Sequence, residues 1–202
     1  MAKPDPSAAK KEESRKTRNW VITIFFATIL ISGTISMVSD LVMSSSSVAV
    51  AFVILLLIIA VGIVFDIVGM AVATADEKPF HAMAARKVPG AKQCIMLLRN
   101  AERVSSICND VVGDICGVVS GSASATIAAQ ILANFQFGLE DIVSLLMSSL
   151  VAALTVGGKA IGKGIAVNSC TEIVYHAGQV IYFFQNLGSI FHTKNKKKKD
   201  RS

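Results

Sequence analysis

The sequence predicts an all-α integral membrane protein, on three observations. Several long stretches are apolar enough to cross a bilayer, most charge lies at the ends and in one interior segment, and the basic residues favour alternate connections. About 20 apolar residues carry a helix across ~30 Å of hydrocarbon. By that ruler the four spans are Trp20–Val38, Val48–Val72, Val104–Leu132 and Ile142–Val167. A hydrophobic content of 52% and a mean hydropathy of +0.58 agree with this class.

Residues 1–18, with Pro4, Pro6 and mixed Lys and Glu, read as a disordered tail. The first span carries no ionisable residue. Its basic flank also suits a secretory signal, but no Ala-x-Ala-like cleavage site follows, so a retained helix is expected. The second span carries only Asp66, and Phe52–Val64 is apolar on every face, unlike a surface helix of a soluble protein. Ser44–Ser47 makes the turn between these spans. The third and fourth spans are rich in Gly, Ser and Ala and are interrupted by charges.

Between the second and third spans the chain is polar. Pro79 can open a helix, Val88-Pro89-Gly90 breaks it, and Ala91–Val104 resumes with Cys94, Leu97 and Leu98 on one side. Lys92, Arg99 and Arg103 lie elsewhere on that helix, the pattern of a basic amphipathic helix at a membrane surface. Thr171–Phe191 reads as a second interfacial helix, because His176 and Gln179 interrupt it. A basic tail, 193–202, closes the chain.

Outside the spans, Lys and Arg occur in the first 18 residues, between Lys78 and Arg103, and from Lys194 onward. The connections Asp40–Ser47 and Ala133–Asp141 have none. By the positive-inside rule both termini are expected to be cytoplasmic, and a multi-pass protein of the plasma membrane is expected. The Lys196–Lys199 tract then anchors topology and touches anionic lipid rather than nucleic acid. Four cysteines without a CxxC give neither a zinc site nor a disulfide framework. No phosphate loop, HExxH or Ser/His/Asp set stands in a reachable context, so no enzyme is expected.

Asp66, Asp110, Asp114, Lys159 and Lys163 lie inside the spans, where a central charge costs roughly 2.5–3.5 kcal/mol. At 1.5 Å per residue, all five fall about 6–15 Å from the inner ends of their helices. Asp110 and Asp114 share a helix face at four-residue spacing, as do Lys159 and Lys163. Antiparallel packing is expected to set Asp114 near Lys159 and Asp110 near Lys163. Two readings stay open. The carboxylates Asp66, Asp110 and Asp114, with Asn109, supply oxygen ligands for a divalent cation, and Lys159 and Lys163 pair with or gate them. Alternatively, the cluster is a structural salt bridge. A ridge of small residues, Gly113, Gly117, Gly121, Ala125 and Ala129, with Gly158, Gly162 and Ala166 opposite, is expected to pack the third and fourth spans together or to serve a homodimer.

These stretches resemble the transmembrane domain of the CNNM/CorC/CorB family, membrane proteins linked to Mg²⁺ and Co²⁺ transport. The likeness runs from Val64-Phe65-Asp66 and Met70-Ala71 through Leu97-Leu98-Arg99-Asn100-Ala101-Glu102-Arg103 and Ile107-Cys108-Asn109 to Gly158-Lys159-Ala160-Ile161-Gly162-Lys163. Each motif is weak singly; their shared order over about Val48 to Phe191 carries the match. Residues 19–192 would then be a CNNM-like domain with one extra amino-terminal helix. The chain departs from the family pattern where a family Glu is replaced by Lys159, a Pro by Gly162, and another Glu by Gly69. The paired CBS domains that often follow this domain have no counterpart in the Lys-rich tail.

The resemblance implies divalent-cation transport or homeostasis, with Mg²⁺ as the ion, a homodimer, and an ion site that Lys159 alters. The competing expectation is a non-transporting membrane scaffold or regulatory subunit with a separate protein partner.

Overall fold

The computed structural model describes residues 6–134 and 140–199. Among them there is no strand, and the protein is an all-α membrane protein: four helices are long and apolar enough to cross a bilayer. The helices are α1 (Pro6–Ser44), α2 (Val48–Thr74), α3 (Lys78–Ala85), α4 (Ala91–Arg99), α5 (Ala101–Ser106), α6 (Asp114–Asn134), α7 (Glu140–Asn168) and α8 (Cys170–Lys199). A π-helical stretch, Ile107–Gly113, joins α5 to α6. The candidate spans are Thr17–Met43, Val48–Thr74, Ala101–Ala133 and Asp141–Asn168.

Two expectations about the ends are corrected. Helix α1 begins at Pro6, so residues 6–18 continue the first span's helix. The sequence there is dominated by Ala, Lys, Glu and Arg, all good helix formers, and a proline is tolerated in a first turn. Likewise α8 runs on to Lys199, so the basic tail has no boundary at residue 193.

The chain forms two compact units. One takes in residues up to Ile58 together with Ile115–Val151; the other takes in Ile59–Asp114 and the chain from Ala152 onward. In the first, Met43, Ala51, Leu55, Val119, Ala123 and Ile127 are buried. Ser120 and Ser124 are buried there too, and their hydroxyls donate to Cys116 O (2.6 Å) and Gly121 O (2.8 Å). Without water nearby, such back-bonding satisfies a hydroxyl within its own helix. Gln130 Nε2 donates to Met43 O (2.8 Å), one of the carbonyls that the end of α1 leaves without a helical partner.

The second unit holds a core of Ala71, Val72, Phe80, Cys94, Leu97, Leu98, Ala166 and Val174. The apolar side of α4 is therefore covered by α8. Close approach depends on Gly178: a Cβ there would overlap Cys94 Sγ and stand 3.0 Å from Gly90 O. Cys94 donates its thiol proton to Val174 O (3.4 Å), and burial pushes its pKa above the ordinary thiol value. The thiol therefore stays protonated at pH 8, and thiolate is the reactive form. Maleimide labelling of the native protein at pH 8 is expected to leave Cys94 unmodified, with denaturant opening it; rapid native labelling would contradict this packing.

The α3–α4 turn closes with a pair of bonds, Lys87 N–H to Ala84 O (3.0 Å) and Val88 N–H to Met83 O (3.0 Å). This is the Schellman pattern, and it puts Lys87 in the left-handed region at φ 56°. Gly90 follows at φ 87°, ahead of α4.

Candidate cation site

Asp66 lies on α2 about 12 Å before its end, and Lys159 lies on α7 about 14 Å before its end. Both belong to the second unit, as does Asp114 at the start of α6. Lys159 Nζ stands 3.7 Å from Asp66 Oδ1 and 3.9 Å from Asp114 Oδ1. These separations exceed charge-assisted hydrogen-bond lengths, so the ammonium is held by Coulomb attraction between two carboxylates. The two acids differ sharply: the Asp66 side chain is 10% exposed and that of Asp114 72%. Lys159 itself is 22% exposed. One positive charge therefore faces two negative ones, leaving the cluster one charge negative.

Glycines make this approach possible. A Cβ on Gly113 would lie 3.3 Å from Lys159 Nζ and 3.7 Å from Asp66 Oδ1. The ammonium and the carboxylate thus lie directly against the backbone where the π-helical stretch ends. On α2, a Cβ at Gly69 would overlap Asn109 Oδ1 and stand 2.9 Å from Cys108 Cβ. The Asn109 carbonyl fills the space that Gly69 leaves. Its Oδ1 is buried without a hydrogen-bond partner.

Asp110 is not part of this cluster. It is exposed and accepts a bond from the Ser106 hydroxyl (2.8 Å). Lys163 is also exposed, so the expected Asp110–Lys163 pair is corrected. The wider π-helical turn is the physical reason: the stacking of residues four apart assumes a regular α-helix through Asp110 and Asp114. Of the four expected ligands, Asp66 and Asp114 meet at Lys159, Asp110 bonds to Ser106, and Asn109 packs against Gly69. Among the described residues no three His, Cys, Asp or Glu side chains form a group able to hold a metal ion.

The small-residue ridges are also reassigned. Gly158 and Gly162 receive Ile63 and Ile67 of α2: a Cβ at Gly158 would overlap Ile63 Cδ1, and one at Gly162 would lie 2.7 Å from Ile67 Cγ1. Gly117 and Gly121 have open space where a Cβ would stand. Of the third-span ridge, Gly113 meets a fourth-span side chain, Lys159.

The sequence reading missed two features of the site, Gly69 and the π-helical stretch. The signal for Gly69 is the glycine itself, a position without a side chain three residues after Asp66 in an apolar helix. The π-helical stretch left no mark in the hydrophobic pattern of Ile107–Gly113 beyond its closing glycine. No protein-family model, curated protein or solved structure matches this chain.

Proposed function

We propose that this protein serves divalent-cation transport or homeostasis, Mg²⁺ and Co²⁺ being the ions, through a site that its own Lys159 occupies as a tethered cation. The observation that carries the reading is the ammonium between Asp66 and Asp114; on the same helix as Asp66, Gly69 meets a buried Asn109 oxygen that accepts no hydrogen bond. Carboxylate and amide oxygens are hard ligands of the kind Mg²⁺ takes, alongside several retained waters. A divalent ion and the ammonium repel one another, so the ion enters as the lysine withdraws toward the exposed Asp114 side. Asp66 and Asp114 are then the ligands and Lys159 the gate. On this reading the protein lies in the plasma membrane as a homodimer with both termini cytoplasmic, consistent with its Lys and Arg distribution.

A second reading is favoured by the same lysine. It already neutralises Asp66, and the described acids form no metal-ligand group. The protein would then be a membrane scaffold or regulatory subunit with a separate protein partner, its ion cluster purely structural.

Thermal unfolding of the detergent-solubilised protein and of Lys159→Met across a Mg²⁺ titration separates the two. An ion that binds the native state alone stabilises it by ~2.7 kcal/mol at a hundredfold excess over its dissociation constant. The cation reading expects Lys159→Met to bind Mg²⁺ more tightly than the parent, with the response lost when Asp66→Asn is added. No saturable response in either protein, against a monovalent-salt control, would leave the structural reading standing.

A further inference from the structure

Beyond the ion cluster, the second unit carries an open cleft where the α3–α4 turn meets α8. Lys87, Lys92, Gln93 and Tyr182 supply its polar lining. A more apolar cleft, lined by His176, Gln179, Val180, Phe183 and Phe184, shares Pro89 and Tyr182 with it. Neither lining contains an acidic residue. Val180, Phe183 and Phe184 are 55%, 62% and 68% exposed, so an apolar surface runs straight on from a basic one.

The turn itself gives a second observation. Lys87 occupies the left-handed position that closes α3, where glycine is the ordinary occupant and a side chain is strained. A lysine there costs stability that glycine would not, yet its side chain lines the cleft. The Schellman closure fixes this backbone and carries the lysine into the cleft lining. Position narrows the class: α3 follows closely on the end of the α2 span, and α8 follows directly on the end of the α7 span. Lysine with exposed aromatic side chains at that level matches the headgroup zone of a bilayer.

We propose that this paired cleft binds one anionic phospholipid. Lys87 and Lys92 take the phosphate, Tyr182 stands at the junction, and Val180, Phe183 and Phe184 receive an acyl chain. The assignment is independent of the cation reading.

Native mass spectrometry of the full chain in detergent, titrated with phosphatidylglycerol, phosphatidylcholine and free glycerol phosphate, tests it. Phosphatidylglycerol is expected to bind at least tenfold more tightly than phosphatidylcholine, since each lysine near an anionic surface contributes appreciably. Lys87→Gln with Lys92→Gln should abolish that preference. Lys87→Gly should also weaken it while keeping or raising thermal stability, because glycine suits the turn. Phe183→Ala with Phe184→Ala should weaken phosphatidylglycerol binding and leave glycerol phosphate unaffected. Equal binding of both lipids, or indifference to the lysine variants, would overturn the proposal. So would glycerol phosphate binding as tightly as the lipid, which would make the cleft a plain anion site.

Discussion

Lys159→Met is expected to destabilise the protein by about 3 kcal/mol, the scale for leaving a buried charge without its partner. The Asp66 side chain is 10% exposed and its paired cation is Lys159. Reversing the roles should cost less. Asp66→Asn leaves the lysine facing Asp114, which is 72% exposed and well placed to share a solvated ammonium. That variant is expected to lose about 1 kcal/mol, the net scale of one ordinary polar contact. Combining the two should cost less than the sum, because neither charge then remains buried and unpaired. Asp114→Asn should stay within about 0.5 kcal/mol, as surface substitutions do. Equilibrium unfolding in mixed micelles reads all four. A Lys159→Met protein as stable as its parent would mean that the pair does not hold Asp66 in the folded state.

Gly69→Val is expected to cost about 3 kcal/mol, the upper range for forcing extra carbon into a packed interior. Its Cβ would overlap Asn109 Oδ1 and stand 2.9 Å from Cys108 Cβ, an atom fixed to its own backbone. Gly33→Val on α1, where a Cβ meets nothing within 4 Å, is the matched control and should stay within about 0.5 kcal/mol. Asn109→Ala should recover part of the Gly69→Val loss, since it removes the overlapping oxygen and breaks no hydrogen bond of that oxygen. Two residues in contact should couple in this way. Unfolding of Gly69→Val with parental stability would show that the Asn109 carbonyl does not fill that space.

How much of this was legible in the sequence depends on the scale of the feature. The spans were legible because twenty apolar residues leave few other structures open to them. The level of Asp66, Asp114 and Lys159 followed from helix rise alone, and Asp114 and Lys159 do lie 3.9 Å apart. Rotation about the helix axis was harder to read. The regular-helix assumption put Asp110 beside Lys163, whereas the π-helical stretch leaves Asp110 bonded to Ser106. The small-residue spacing identified Gly158 and Gly162 as contact positions, but spacing carries no address, and the neighbour is α2 through Ile63 and Ile67. For α4 the amphipathic pattern was plain; what covers its apolar side is α8, eighty residues away at the bond from Cys94 to Val174.

The π-helical stretch bears on how this span tolerates change in length. Each residue of a regular helix advances about 100° around the axis, so losing one normally turns every later side chain onto another face. A π-bulge already accommodates one residue more than a regular turn holds. Deleting a residue within Ile107–Gly113 would let the stretch relax to α-helix and keep α6 in phase with α5. The same deletion further along α6 would swing the buried Ser124 and Ile127 away from their present faces. Length variation in the third span would therefore concentrate beside Asp66 and Lys159, where it reshapes the ion cluster and leaves the rest of the helix undisturbed.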